Sequence, residues 1–133
     1  MHPFRSAIEA WDLDAVPALL AEDVVFRSPV AHTPYHGREL VSAILSGVSR
    51  VFEDFRYVRE IGDPAGPDHV LEFQARVGDA EVHGVDLLRT GPDGLVTELV
   101  VMIRPMSGLA AVAAGMKEQF ASIAVPPDGP PAA

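Results

Sequence analysis

One carboxylate, Asp86, stands in the middle of a run that reads as a β-strand. In the stretch GVDLLR, Asp86 lies between Val85 and Leu87, and the residues from Glu81 to Pro105 read as two β-strands joined by a glycine-rich turn. An acid on a half-buried strand must be paired, neutral or used in proton transfer. In an apolar cavity such a carboxyl can donate to a carbonyl or carry a proton, which is general acid-base chemistry. Pairing with an arginine across the sheet, or an exposed position, would leave it structural. Strand parity groups Asp86 with Val82, Gly84 and Leu88, against His83, Val85, Leu87 and Arg89. Periodicity does not say which set is inside. A second group is HTPYH, where His32 and His36 stand four apart and, with Asp86, would make a two-histidine, one-carboxylate set. Four apart brings imidazoles together on a helix, but Pro34 argues for a loop. No metal site is expected.

The elements that must position these residues change period half-way along the chain. Phe4, Ile8 and Trp11 recur at helical spacing, and Asp14 is expected to cap a second helix carrying Leu19 and Leu20, with Pro17 in its first turn. DVVFRSP predicts a short strand ended by Pro29, and VAHTPYHG a loop. From about Arg38 a third helix presents Leu40, Val41, Ile44, Leu45 and Val48 as an apolar stripe. Four strand-like runs follow, FEDFRYVREIG, HVLEFQARVG, EVHGVDLLRT and LVTELVVMIRP, separated by DPAGPD, GD and GPDG. Ser107 is expected to cap a last helix with Leu109, Val112, Met116 and Phe120 on its apolar side. Helices followed by antiparallel strands predict an α+β fold. In HVLEFQARV, Leu71, Phe73, Ala75 and Val77 form an apolar face opposite Glu72, Gln74 and Arg76. On the last strand Leu99, Val101 and Ile103 alternate with a mixed set in which Val100 and Met102 suggest a subunit interface.

The chain has 133 residues, 48% hydrophobic and 22% charged, which suits one domain able to bury roughly two-thirds of its unfolded surface. Residues 1–124 are expected to form it. The segment VPPDGPPAA, residues 125–133, has four prolines in nine positions and reads as a disordered tail. With no cysteine, neither a disulfide framework nor a thiolate zinc site can form. A net charge of −9 disfavours sequence-independent nucleic-acid binding. No run has the length of a signal peptide core or a membrane span, so no membrane association and a cytoplasmic location are expected.

The order of elements, with DLDAVPALLAEDVVFRSPV, YHGRELVSAI and GVDLLRTGPDGLVTELVV, resembles the nuclear transport factor 2-like superfamily over nearly the whole ordered chain. That superfamily includes SnoaL-like polyketide cyclases, ketosteroid isomerase and limonene epoxide hydrolase. The resemblance implies a cone-shaped, curved, mainly antiparallel sheet wrapped around N-terminal helices, with an internal pocket and a homodimer formed through the outer sheet face. It places Asp86 inside, on the acid that in ketosteroid isomerase donates to the substrate oxyanion. The isomerase general base falls on Ser28 and the oxyanion tyrosine on Phe4, so with neither a carboxylate base nor a phenol donor classical steroid isomerisation is not expected. The epoxide hydrolase arrangement needs an arginine where Gly84 stands. A SnoaL-like cyclase, relying mainly on one pocket aspartate, fits best.

Three functional classes stay open, since one fold hosts many chemistries. The first is a cofactor-independent isomerase, cyclase or hydrolase acting on an apolar carbonyl or polyketide-like compound through Asp86, with His32, Tyr35 or His36 folding over the mouth to supply a base. The second is a binding module for a small apolar ligand, and the third an accessory dimer. The ligand-contacting residues expected are Phe4, Trp11, Phe26, Ser28, Tyr35, Leu99, Val101 and Ile103.

Overall fold

The computed structural model describes residues 1–121, so the expected tail at 125–133 lies outside the described residues. Helix α1 spans Pro3–Glu9 and is followed by two single 3-10 turns, Leu13–Ala15 and Pro17–Leu19. Strand β1 covers Leu20–Arg27, β2 Tyr35–His36, and helix α2 Arg38–Ser49. Strands β3 (Glu53–Ile61), β4 (Asp68–Val77), β5 (Ala80–Thr90) and β6 (Val96–Arg104) come next, and α3 (Met106–Phe120) closes the series. The six strands form one sheet in the order β2-β1-β6-β5-β4-β3, in which β1 and β6 run parallel and every other pair antiparallel. This curved, unclosed sheet with helices is the α+β architecture expected.

Side-chain period decides which face turns inward. On β4, Leu71, Phe73 and Ala75 are buried while their neighbours are partly exposed, and on β5 the buried set is Val82, Gly84, Asp86 and Leu88. Helix α2 covers this face with Val41 and Ile44, and α3 with Gly108, Val112 and Met116, which recur at four-residue spacing along one stripe. The β4–β5 hairpin turns in two residues, Gly78 and Asp79, and Gly78 has φ of 58°. Only the first central position is left-handed, the type II′ pattern that glycine favours and that matches the twist of a hairpin.

The helix expected from Asp14 through Leu20 does not form. Bonds from Val16 to the Leu13 carbonyl and from Leu19 to the Val16 carbonyl are of the tight three-residue kind, and Pro17 has no N–H to extend an α-helical ladder. Asp14 lies inside the first 3-10 turn and not at its cap, while Leu20 already belongs to β1 and is fully buried. The first helix stops at Glu9, short of Trp11. Part of the expected loop is strand, because Tyr35 and His36 pair with Phe26 and Val25. The last helix starts at Met106 after Pro105, so Ser107 sits in its first turn and does not cap it. Among the described residues, no helix is long and apolar enough to cross a membrane.

Candidate functional site

The concave face of the sheet and the helices over it enclose a cavity of about 670 Å³, counted with its open mouth. Helix α1 contributes Phe4 and Ile8, α2 Leu45, Val48 and Ser49, and α3 Val112 and Met116. The sheet contributes Phe26, Phe55, Tyr57, Phe73, Asp86 and, from β6, Leu99, Val101 and Ile103. Ser49 turns its hydroxyl to the Ser46 carbonyl at 2.6 Å, so it offers little to a ligand. Asp86 and Tyr57 are the titratable side chains of this wall.

Register explains how these two meet. Across the sheet Tyr57 pairs with Phe73 and Phe73 with Gly84, while Asp86 sits between Leu71 and Val101. The Tyr57 side chain, on β3, therefore reaches over β4 to β5, and its hydroxyl donates to Asp86 Oδ2 at 2.7 Å. Gly84 makes room for the wall beneath. A Cβ there would lie 2.5 Å from Phe73 Cζ and 2.6 Å from the Met102 carbonyl oxygen, so the Phe73 ring occupies the space a side chain would need. Phe55 stacks on Phe73 at 4.9 Å and meets Tyr57 edge-on at 5.0 Å, fixing the phenol from below. Arg5 lies over the Tyr57 ring at 5.9 Å and pairs with Glu9 and Glu60.

Asp86 is buried and, among the described residues, takes part in no ion pair. Loss of water around the carboxyl pushes its pKa up to about 7, and the Tyr57 hydroxyl, which favours the charged form, holds it from rising further. The Tyr57 phenol is driven well above its ordinary value by burial first and then by the charge and hydrogen bond of Asp86. At neutral pH the pair thus presents a carboxyl poised between its two protonation states and a phenol that stays protonated. His69, also buried, is bonded through Nε2 to the Gly66 carbonyl and lies outside the cavity wall.

The residues expected at the site divide. Asp86, Phe4, Trp11, Phe26, Leu99, Val101 and Ile103 come together around the cavity, but Ser28, His32, Tyr35 and His36 do not line it. Ser28 Oγ accepts from the Val30 N–H at 3.1 Å and so shapes its own turn. His32 and His36 are exposed. The Tyr35 ring is buried between Phe26 at 6.2 Å and Phe120 at 6.1 Å, and among the described residues its hydroxyl has no hydrogen-bond partner. Among the described residues no group of three or more His, Asp or Glu side chains could hold a metal ion. The expectation that no phenol serves the site needs correction, because Tyr57 supplies one from a different element than Phe4. Its signal was present in the alternation of Phe55 and Tyr57 with Arg56 and Val58, which marks both aromatics as inward facing.

A model of the SnoaL-like domain matches residues 3–99. The chain belongs to the SnoaL-like family. Among solved structures it is similar to a steroid delta-isomerase from Pseudomonas aeruginosa, with 47% identity and a TM-score of 0.85 over 90% of this chain and 87% of that one. An uncharacterized bacterial protein with a cystatin-like fold from Silicibacter pomeroyi is 35% identical with a TM-score of 0.86, covering 92% and 89% of the two chains. An NTF-2 like protein from Burkholderia xenovorans, 19% identical over 74% and 75% of the chains with a TM-score of 0.64, shares the fold. No curated protein matches the chain. This SnoaL-like protein accordingly has the nuclear transport factor 2-like, ketosteroid isomerase-like fold.

Proposed function

We propose that this SnoaL-like protein is a cofactor-independent isomerase of apolar unsaturated ketones in which Asp86 moves the proton. The observation that carries the reading is one titratable carboxyl, half ionised near pH 7, at the polar end of an otherwise apolar cavity. The ionised carboxyl removes a proton from the carbon between the carbonyl and an isolated double bond. The C–H electron pair moves into a dienolate, and the same carboxyl returns the proton to the far carbon of that dienolate. The double bond shifts into conjugation with no net gain or loss of protons. Likeness to the Pseudomonas steroid delta-isomerase supports this reaction class. The test is incubation with a β,γ-unsaturated ketosteroid, following the ultraviolet absorbance of the conjugated enone. Conversion by the wild type with a rate that rises with pH to a plateau, with midpoint about 7, is the expected result. A rate that falls through that midpoint would assign Asp86 the acid role of a cyclase instead.

Tyr57→Phe sharpens the assignment. Without the hydroxyl, the Asp86 carboxyl loses the bond that favours its charged form, so its pKa should rise above about 7. The pH–rate midpoint should move upward with it, and activity at neutral pH should fall. An unmoved midpoint would mean that the group titrating in the profile is not Asp86.

A second reading, ligand binding without turnover, is favoured by the absence of Ser28, His32 and His36 from the cavity wall, which leaves Asp86 without a partner base. A bound ketone with no conversion would select it.

We also propose a homodimer through the outer face of the sheet. Val85 pairs with Met102 and Leu87 with Val100 there, Met102 is 55% exposed, and Ile61 on β3 is exposed beyond Val70. Arg59, Glu72 and His83 border these residues with bonds of 2.8 and 2.7 Å, so the charges beside the patch are already paired and do not repel a second copy facing it. Light scattering should give twice the monomer mass, and Met102→Glu, which buries an unpaired charge, should return the monomer. A monomeric wild type at micromolar concentration would exclude this assembly.

A further inference from the structure

Backbone and side chain make opposite demands at Trp11. Helix α1 ends with the Trp11 N–H bonded to the Ile8 carbonyl at 3.0 Å and the Asp12 N–H to the Ala7 carbonyl at 2.9 Å. These are the two bonds of a Schellman motif, which closes a helix through one left-handed residue. That residue is Trp11, with φ of 56°. Glycine is the usual occupant, because a Cβ in this region crowds the following carbonyl oxygen. Burial does not offset the strain, since Trp11 is 49% exposed. Among the described residues it stacks on no other ring and its indole N–H has no hydrogen-bond partner. Trp11 nevertheless lines the cavity. Strained positions of this kind cluster at ligand sites, where the side chain has work that the bare fold does not need.

We infer that Trp11 is the recognition lip of the cavity, its indole laid against a ring of a ligand whose carbonyl end reaches Asp86. The inference rests on the ligand site proposed above and narrows its substrate class to cyclic, rigid ketones. A ring offers the indole a flat face and arrives with few rotors to immobilise, whereas an open chain must be ordered first. Asp86 is buried while Trp11 is half exposed, so the two mark the inner and outer ends of the bound molecule.

Two isomers of equal composition provide the test: the cyclic enone ionone and its open-chain isomer pseudoionone, with testosterone as a larger ring system. The chain has one tryptophan, so the emission of the wild type reports on Trp11 alone. Ionone and testosterone should change that emission and raise the melting temperature. By calorimetry Trp11→Gly should weaken ionone binding about tenfold and pseudoionone about twofold, and Trp11→Phe should retain ionone to within about threefold. Without ligand, Trp11→Gly should melt no lower than the wild type, because glycine suits the left-handed position. A melting temperature several degrees lower would show that the indole is packed for stability and would overturn the inference. Equal ionone affinity in wild type and Trp11→Gly, with unaltered emission on binding, would overturn it while leaving the ligand site intact. If none of the three compounds binds the wild type, the ligand site itself is wrong and the lip falls with it.

Discussion

Asp86→Asn should abolish turnover while leaving the fold as stable as the wild type, or more so, at pH 7. The amide oxygen can still accept from the Tyr57 hydroxyl, so the hydrogen bond at 2.7 Å survives in form. What is lost is the proton, and removal of a general base costs about 10²- to 10⁴-fold in rate. Stability moves the other way. The folded carboxyl titrates at about 7 against an ordinary value of 3.8, so below 3.8 both states are protonated and burial of the neutral acid carries no charge penalty. As pH rises from 3.8 towards 7 the unfolded chain releases a proton that the folded chain retains, and stability is lost progressively to about 4 kcal/mol, above which it levels off. Asp86→Asn removes that slope. Thermal melts of both proteins between pH 4 and 8 should therefore converge in acid and separate in favour of the variant at neutrality. A variant that melts well below the wild type at pH 7 would make Asp86 a structural residue, and one that still turns substrate over would exclude it as the proton carrier.

Phe73→Ala should be the most destabilising single change in the cavity wall, costing about 3–5 kcal/mol. Phe73 is 1% exposed, stacks on Phe55, meets Phe52 edge-on at 5.8 Å, and fills the space above Gly84. Truncation leaves a hole bordered by rigid strands, with no neighbour on Gly84 to collapse into it. For a domain of this size the loss corresponds to a fall in melting temperature of roughly 10–20 °C. Ligand affinity should fall as well, since Phe55 and Tyr57 lean on the missing ring and Tyr57 holds Asp86. Denaturant unfolding of wild type, Phe73→Ala and Phe73→Leu separates the terms, with leucine expected to recover about half of the loss by refilling volume. A cost below about 1 kcal/mol would mean that the wall repacks and that the cavity's shape does not depend on this aromatic cluster.

Much of the fold and of the site could be read from the amino-acid order because strand period is a local property. Alternating residues in HVLEFQARV carried the inward set without reference to the rest of the chain, and the stripe on α2 did the same at helical spacing, whereas around Asp86 alternation grouped the residues that share a face without saying which face is inside. The resemblance then supplied the side on which Asp86 lies. Local signals failed where two nearby demands competed. Pro17 and the early start of β1 left no room for a second helix, and Trp11 left the helical face that its spacing assigned to it. Three-dimensional register alone decided the chemistry of the site. Tyr57 and Asp86 are 29 residues apart on strands that are not neighbours, and nothing in the sequence between them specifies that one hydroxyl will cross β4 to meet the other's carboxyl. The same register turned Ser28 into its own loop and Tyr35 into the aromatic contacts beside Phe120. Composition and period determine which residues leave water; which of those buried groups touch is set by the pairing of distant strands, and the pKa of Asp86 depends on that contact and on the water excluded around it.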